Sequence, residues 1–298
     1  MEYRKLGKSG LKVSGIGFGC MSLGKELEPA VWLIHRAIDS GINFFDTANL
    51  YDKGLNETIV GKALKEKRND VILATKVGNQ WRSDGSGWDW NPRKDYILAE
   101  VEESLRRLGT DHIDLYQLHG GTINDPIDET IEAFELLVQQ GKIRYYGISS
   151  IRPNVIREWV KRSSITSVMT QYSLLDRRPE ESTLELLHQN NIGVLTRGSL
   201  AQGLLINKPP KPYLNFEEEE VQRAAELIRK YSTENRGATQ TSLQYVLNHP
   251  AVTSVVVGIR TPEQLKEAVK VFDVPLITGN EVQNIKHTLP ANRYEDHR

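Results

Sequence analysis

Four polar residues in the first half of the chain each follow a predicted β-strand: Asp46, Tyr51, Lys76 and His119. The strings around them combine β-branched and aromatic apolar residues with a polar end, as buried parallel strands do. These strings are INFFDTANLY (42–51), VILATK (71–76) and HIDLYQLH (112–119). Because α/β proteins bind ligands at the carboxyl ends of their parallel strands, we expect the four side chains to meet there.

The four residue types suit proton donation to a bound molecule. A phenol ordinarily titrates near pH 10, so Tyr51 needs a nearby cation that stabilises its phenolate. Lys76 can supply that cation, and Asp46 can offset the cost of burying it. His119 can hydrogen-bond a carbonyl or share in the proton transfer. The sequence therefore predicts a general-acid site, and a reduction there would need a hydride from a nicotinamide cofactor.

Motifs for other chemistries are missing from the chain. There are no paired cysteines and no His-x-His string that would indicate a metal site, so we predict no metal. There is also no G-x-S-x-G elbow for a serine nucleophile. A lyase or isomerase that uses Lys76 as a Schiff base stays open as a separate alternative.

Strand-like and helix-like segments alternate along the whole chain. Strands are predicted at eight places: 15–18, 42–45, 71–75, 112–117, 143–148, 166–169, 192–196 and 254–257. Helices are predicted at 28–40, 56–66, 94–108, 126–140, 153–162, 179–190 and 261–271, and within 217–248, where one long pattern must break. Eight βα repeats predict an α/β protein whose parallel sheet closes into a (β/α)8 TIM barrel. The alternating segment around Gly7 predicts an N-terminal β-hairpin closing the bottom.

Three local signals mark helix starts, and one alternative fold stays open. Asp125 and Pro126 are predicted as an N-cap and first-turn pair, and Thr261 to Gln264 as a capping box. The acidic run from Glu217 to Glu220 is interpreted as a solvated helix end. An open doubly wound sheet is the alternative fold, although its fingerprint of three spaced glycines is absent.

Composition bounds the class of protein. We find no linker or low-complexity tract, so residues 1–298 are predicted to form a single barrel domain. The formal net charge is −1, whereas binding of nucleic acid or anionic lipid needs clustered excess lysine and arginine, so we predict neither partner. One cysteine excludes an internal disulfide, and no apolar run is long enough to span a bilayer. The polar segment MEYRKLGKSG at positions 1–10 lacks the apolar core of a signal peptide. We therefore predict a cytoplasmic protein that acts on a small molecule.

Several separated motifs together resemble the aldo/keto reductase superfamily along essentially the whole chain. They are GFGCM (17–21), FDTANLYDKGLNETIVGKAL (45–64), ILATKVG (72–78), IDLYQLHGG (113–121), GKIRYYGISS (141–150), LAQGLL (200–205) and VVVGIRTPEQL (255–265). The resemblance implies a (β/α)8 barrel that binds NADP or NAD in extended form and reduces aldehydes and ketones. It also implies that Asp46, Tyr51, Lys76 and His119 form the family's catalytic tetrad, with Tyr51 as the acid.

The resemblance further implies where the cofactor binds. It places Cys20 and Met21 in a turn that touches the cofactor, Ser149 on the nicotinamide carboxamide, Leu200, Gln202 and Gly203 on the pyrophosphate, and Arg260, Gln264 and Glu267 around the adenosine and its 2′-phosphate. A guanidinium pairs with a phosphate by two parallel bonds, so an arginine in the last group favours NADP(H), with NAD(H) as the other possibility.

Four positions depart from the family pattern. Met169 stands where the family usually has the glutamine that holds the carboxamide, and Arg197 where an aromatic residue usually stacks on the nicotinamide. A planar guanidinium can also stack on a ring, so we keep Arg197 among the cofactor contacts. Ser150 and Ala268 each replace a usual asparagine.

Two further alternatives remain open. The segment 78–92 carries Trp81, Trp88 and Trp90 among glycines, which suits either a mobile lid with aromatic walls or a loop pinned to the barrel rim. The leading function is an NADPH-dependent carbonyl reductase. The alternative is a nicotinamide-binding redox sensor or regulatory subunit with little turnover, since the family includes potassium-channel β subunits.

Overall fold

The computed structural model describes residues 1–298 and confirms the predicted alternation of strands and helices. The strands are β1 (Tyr3–Lys5), β2 (Lys12–Ser14), β3 (Ile16–Gly19), β4 (Phe44–Asp46), β5 (Ile72–Val77), β6 (Asn79–Trp81), β7 (Trp88–Trp90), β8 (Ile113–Leu118), β9 (Ile143–Ser149), β10 (Ser167–Gln171), β11 (Gly193–Arg197) and β12 (Val252–Gly258). The helices are α1 (Leu27–Asp39), α2 (Leu55–Leu64), α3 (Lys94–Leu108), α4 (Ile127–Gln139), α5 (Pro153–Arg162), α6 (Thr183–Gln189), α7 (Glu218–Tyr231), α8 (Ala238–Leu247), α9 (Pro262–Val269) and α10 (Gly279–Thr288).

Eight of the strands form a closed parallel barrel. Their order around it is β10, β11, β12, β3, β4, β5, β8 and β9, and β9 then pairs with β10 to close the ring. These are the eight strands predicted from the sequence, so the TIM barrel is confirmed and the open doubly wound sheet is wrong. No helix of the structure combines the length and apolar character needed to cross a membrane.

The predicted N-terminal hairpin is present and fills one end of the barrel. Strands β1 and β2 pair antiparallel, and the turn between them includes Gly7, whose φ is +53°. A β-carbon at Gly7 would lie 2.5 Å from the carbonyl oxygen of Thr166, at the amino end of β10. Only glycine meets both the conformation and the space here. The hairpin therefore seats against the barrel with backbone in direct contact with backbone.

Two apolar layers hold the barrel together. The first, here called the inner cluster, lies inside the barrel and joins hairpin residues to residues of the strands: Leu6, Leu11, Val13, Phe44, Ile72, Ala74, Leu115, Met169, Leu195 and Val256. The second is a cluster of 69 buried residues, large enough to be the main core, between the outside of the barrel and its helices. A TIM barrel is a packed core rather than a pore, and the inner cluster fills its lower and middle parts.

Three elements differ from the sequence prediction. The segment 78–92 contains a short hairpin of β6 and β7, and α10 follows the last predicted helix. The start of α4 is not capped by Asp125, because that carboxylate accepts hydrogen bonds from the Trp90 indole and from the Thr122 backbone and hydroxyl. Half of the predicted capping box at Thr261 is present, since its side chain accepts a hydrogen bond from the backbone N–H of Gln264. The reciprocal bond is absent, because the Gln264 side chain accepts from the backbone N–H of Arg260 instead of Thr261.

Candidate active site

A layer of polar side chains lies above the inner cluster inside the barrel. Side chains two residues apart on a strand lie on the same face of the sheet. Asp46, Lys76 and Gln117 each follow an inner-cluster residue by two positions, on β4, β5 and β8 respectively. These three residues, called the rim layer below, therefore face inward at the carboxyl ends of neighbouring strands. They are buried, with 4%, 1% and 0% of their surface exposed, so water screens the charges of Asp46 and Lys76 only weakly.

The ammonium of Lys76 lies at the centre of the predicted tetrad. Its Nζ donates to Asp46 Oδ1 at 2.6 Å, to the Thr47 carbonyl at 2.7 Å and to Tyr51 Oη at 3.2 Å. Three donors and three acceptors match, so the buried cation has no unmet hydrogen bond. The arrangement that we predicted from residue types alone is therefore the one that these side chains adopt.

Burial and the attraction between the two charges have opposing effects on the pKa values of Asp46 and Lys76. Burial raises the pKa of Asp46 above its ordinary value, against the charge of Lys76 and the hydrogen bonds of Lys76 and Gln117. Burial alone would lower the pKa of Lys76, but Asp46 and Tyr51 outweigh it and raise that pKa. The short contact to a charged partner keeps Asp46 a carboxylate, so Lys76 presents a full positive charge to the Tyr51 hydroxyl.

His119 lies against Tyr51 at the mouth of the site. The two rings meet edge to face, with centroids 5.9 Å apart and planes 86° from each other. Burial, with smaller contributions from the charges of Lys76 and Arg197, lowers the pKa of His119 to about 3. Its buried Nδ1 has no hydrogen-bond partner. The imidazole is thus neutral at ordinary pH.

We expect the His119 ring to stay neutral from pH 8 down to pH 4 in the folded protein. Because its folded pKa lies below the free-histidine value of about 6.5, the unfolded chain binds the extra proton first. His119 therefore lowers the stability of the fold as pH falls from about 6.5 towards 3, and makes no such contribution above that range. NMR titration of the ring carbons checks this, with His119→Gln as the assignment control. A ring that gains its proton near pH 6.5 would contradict it.

The turn that carries Tyr51 has an unusual backbone. Asp52 and Lys53 have φ of +49° and +56°, followed by Gly54 at +84°. Two successive non-glycine residues in the left-handed region are strained unless contacts hold them. Asp52 pairs with Lys25 at 3.2 Å, and the Lys53 ammonium donates to the Gly85 carbonyl at 3.2 Å. The turn is thus fastened on both sides, which fixes the direction of the adjacent Tyr51.

The tryptophans of the 78–92 segment favour the pinned loop over the mobile lid. Trp81 donates its indole N–H to the Leu50 carbonyl, and Trp90 donates to the carboxylate of Asp125. Trp88, which pairs with Trp81 across the hairpin, remains 47% exposed. The first two residues fasten the hairpin to the Tyr51 turn and to the loop before α4. Trp88 is the one free to meet a ligand.

The predicted cofactor residues lie on or after five consecutive barrel strands, and all but Met169 are at or beyond the carboxyl end of their strand. Ser149 ends β9, Met169 lies on β10, Arg197 ends β11, Arg260 follows β12, and the turn with Cys20 and Met21 follows β3. These strands are neighbours in the barrel, whereas the tetrad occupies the remaining arc of β4, β5 and β8. An extended molecule laid along the first arc would end beside the tetrad.

Individual side chains on this arc differ in exposure. Cys20 is fully buried, and burial raises the pKa of its thiol, whereas Met21 is 63% exposed. Met169 belongs to the inner cluster and is 2% exposed, so its side chain packs below the rim rather than at the opening. Ser149 reaches the rim with 8% of its surface exposed.

The remaining predicted residues form two groups, in which Gln202, Arg260, Gln264 and Glu267 are exposed and Leu200 and Gly203 are half-buried. Leu200, Gln202 and Gly203 lie in a tight turn after β11, where Gln202 has φ of +58°. At the start of α9, the Gln264 side chain accepts a hydrogen bond from the Arg260 backbone N–H at 2.8 Å. The guanidinium of Arg260 is left exposed, and the Glu267 carboxylate accepts a bond from Gln240 at 3.0 Å.

A protein-family model described as the aldo/keto reductase family matches residues 15–289. The chain belongs to this family.

The chain is also similar to individual members of known oxidoreductase and aldo/keto reductase groups. The chain is 50% identical to YqkF of Bacillus subtilis, an oxidoreductase described as uncharacterized, over 100% of both chains. The holo form of aldo-keto reductase AKR11C1 from Bacillus halodurans has 50% sequence identity and a TM-score of 0.95, covering 100% of this chain and 99% of that one. Its apo form, at the same coverage and 48% identity, has a TM-score of 0.87. The backbone of this aldo/keto reductase is thus more similar to the holo form.

Sequence reasoning missed two polar residues of this aldo/keto reductase. Gln117 donates to Asp46 Oδ2 at 3.2 Å, and Gln171, at the end of β10, accepts a bond from Arg197 at 2.8 Å. Both lie on predicted strands or directly after them, so alternation was the available signal. Gln117 precedes His119 by two positions, and Gln171 follows Met169 by two.

Proposed function

We propose that this aldo/keto reductase is an NADPH-dependent carbonyl reductase in which Tyr51 donates the proton. The observation that carries the proposal is the Lys76 ammonium, held at 2.6 Å from Asp46 and 3.2 Å from the Tyr51 hydroxyl. A buried cation at this distance stabilises the phenolate that remains after proton donation, so the phenol becomes an effective acid.

The residues then have separate tasks. Tyr51 gives its proton to the carbonyl oxygen, and Lys76 stabilises the phenolate left behind. Asp46 keeps Lys76 charged in its buried position. His119, neutral because of its low pKa, offers a hydrogen bond that orients the carbonyl oxygen towards Tyr51. The hydride that the carbonyl carbon needs is the chemistry that a reduced nicotinamide supplies when bound.

The arc of strand ends from β9 to β3 fits an extended dinucleotide. Ser149 ends β9, next to the tetrad strand β8, and the charge of Arg197 acts on Asp46 and His119. These two side chains would offer a hydrogen-bonding group to a nicotinamide carboxamide and a flat partner to its ring. Gln202 lies in an exposed turn with left-handed backbone, suited to close approach of a pyrophosphate. Arg260 offers an exposed guanidinium for a terminal phosphate.

The test is the loss of reduced-nicotinamide absorbance when the protein is given NADPH or NADH with a panel of aliphatic and aromatic aldehydes. We expect repeated turnovers, faster with NADPH. Tight NADPH binding with a single turnover or none would refute the reductase and favour the nicotinamide sensor. Trapping of a substrate adduct on Lys76 by borohydride would instead favour a Schiff-base enzyme.

We expect Arg260→Gln to weaken NADPH binding about 10-fold while NADH binding changes less than about 2-fold. The two cofactors differ in the 2′-phosphate, and loss of one charge-assisted pair with a phosphate costs roughly this factor. Fluorescence titration of both cofactors measures it. Arg229→Gln, which removes an exposed arginine from α7, is the matched control. Equal weakening of both cofactors would contradict the assignment of Arg260 to the 2′-phosphate.

A further inference from the structure

Gln117 is a buried residue of the rim layer without an assigned role. It pairs with Lys76 in the register of β5 and β8, and none of its surface is exposed. Its Nε2 donates to Asp46 Oδ2 at 3.2 Å. Its Oε1 is buried and has no hydrogen-bond partner. The bond to Asp46 is therefore the one side-chain hydrogen bond that this amide makes.

An amide in this place is costly unless it has a task. A buried polar atom with no partner destabilises the fold, whereas a leucine would fill a similar volume without that cost. The inner cluster directly beneath is entirely apolar. Packing alone therefore favours an apolar side chain at position 117, and the benefit of the amide must lie in its contact with Asp46.

The contact divides the two oxygens of Asp46 between two donors. Lys76 binds Oδ1 and Gln117 binds Oδ2, on neighbouring strands. Without the second donor, Oδ2 would be a buried carboxylate oxygen with no side-chain donor, which favours protonation or rotation of the group. Either change would withdraw the negative charge that holds the Lys76 ammonium beneath Tyr51.

We propose that Gln117 is a positioning residue of the reductase, which acts on Tyr51 through Asp46 and Lys76. Its amide N–H fixes the carboxylate of Asp46 in the orientation that keeps Lys76 charged and directed at the Tyr51 hydroxyl. The inference rests on the proposed function for its effect on turnover, but its effect on Asp46 is independent of turnover.

The first test is Gln117→Leu, with Ser167→Ala as control. Ser167, on β10, also has a fully buried polar atom without a partner, and it lies at the amino end of the barrel. We expect Gln117→Leu to lower kcat about 10- to 100-fold, the range for a hydrogen bond to a charged group, with the NADPH dissociation constant unchanged. Ser167→Ala should keep kcat. A Gln117→Leu variant with wild-type kcat would overturn the proposal.

The second test is Gln117→Glu, which is nearly isosteric and remains informative if the leucine variant does not fold. The introduced carboxyl group can donate to Asp46 while it is protonated, as the amide does, but once ionised it places two like charges at hydrogen-bond distance. We expect activity near that of the wild type at low pH and a fall as pH rises, at pH values where the wild type is constant. A pH profile parallel to the wild type would overturn the proposal.

The third test needs no turnover. NMR titration of the Asp46 carboxyl carbon in the cofactor-free protein should show a higher pKa in Gln117→Leu than in the wild type. An unchanged Asp46 titration would overturn the role of Gln117. If the wild type fails to reduce any aldehyde while Asp46 responds as expected, the proposed function fails and the positioning of Asp46 by Gln117 stands.

Discussion

Tyr51→Phe is expected to lower kcat for carbonyl reduction by about 10² to 10⁴, the usual contribution of a general acid. The change removes only the hydroxyl to which Lys76 donates at 3.2 Å. The ring remains, and with it the edge-to-face contact with His119, so the shape of the site is preserved. Affinity for NADPH should therefore stay within about 2-fold, because no predicted cofactor residue is altered.

The measurement compares steady-state kcat with a good aldehyde and NADPH affinity by fluorescence. Tyr145→Phe is the matched control, since its hydroxyl accepts a hydrogen bond from the Gly10 backbone in the N-terminal hairpin, at the opposite end of the barrel. It should leave kcat unchanged. A Tyr51→Phe variant that turns over at a near-normal rate would show that the proton comes from another group.

Lys76→Met is expected to reduce the free energy of unfolding by about 3 to 5 kcal/mol and to abolish most turnover. Removing one partner of a buried ion pair leaves the other charge uncompensated, which accounts for the size of the effect. Here the remaining charge is Asp46, with 4% of its surface exposed. Methionine is unbranched like lysine and only one atom shorter, so packing contributes the smaller part of the loss.

A double-mutant cycle separates stability from chemistry at this pair. Adding Asp46→Asn to Lys76→Met removes the uncompensated charge, so we expect the double variant to recover more than half of the lost stability. It should recover no activity, because nothing then stabilises the Tyr51 phenolate. Urea denaturation at neutral pH measures the first quantity and NADPH oxidation the second. Additive losses of stability would mean that the two charges do not interact as the 2.6 Å contact implies.

Much of the fold can be predicted from the sequence because both strand and helix patterns are strong. Each barrel strand is buried on two faces and forms an apolar run, whereas the helices carry one apolar stripe. Helix α10 was not predicted because it buries little, with Val282 and Ile285 as its buried residues. The hairpin of β6 and β7 was missed for a related reason, since its strands are three residues each and are held by distant partners.

Asp125 shows where local reasoning fails. An aspartate followed by proline at the start of an apolar stripe is a good N-cap signal. In the structure its carboxylate binds Trp90, 35 residues earlier, and Thr122. A contact between residues far apart in the chain competes with the local one, and a single sequence does not reveal it. The same limit applies to the fastening of the Tyr51 turn by Lys25 and Gly85.

The meeting of Asp46, Tyr51, Lys76 and His119 could be predicted because polar residues directly after buried parallel strands lie together at the carboxyl ends of those strands. Gln117 was missed because it lies inside the apolar string IDLYQLH and interrupts the pattern of a strand. Counting by two from His119 would have placed it on the inward face with the tetrad. Its hydrogen bond to Asp46 and its unpaired Oε1, from which we infer its role, become visible only in the structure.

The sealed lower end of the barrel constrains how ligands come and go. Leu6, Leu11 and Val13 of the hairpin join the inner cluster, so no passage runs through the barrel axis. A dinucleotide and a carbonyl compound would then share a single entrance at the opposite end. Whichever of the two lies deeper must arrive first and depart last, and a large excess of the other can hold it in place after reaction. If the proposed function is correct, the N-terminal hairpin at the far end of the barrel would thereby set the order in which cofactor and substrate bind and leave.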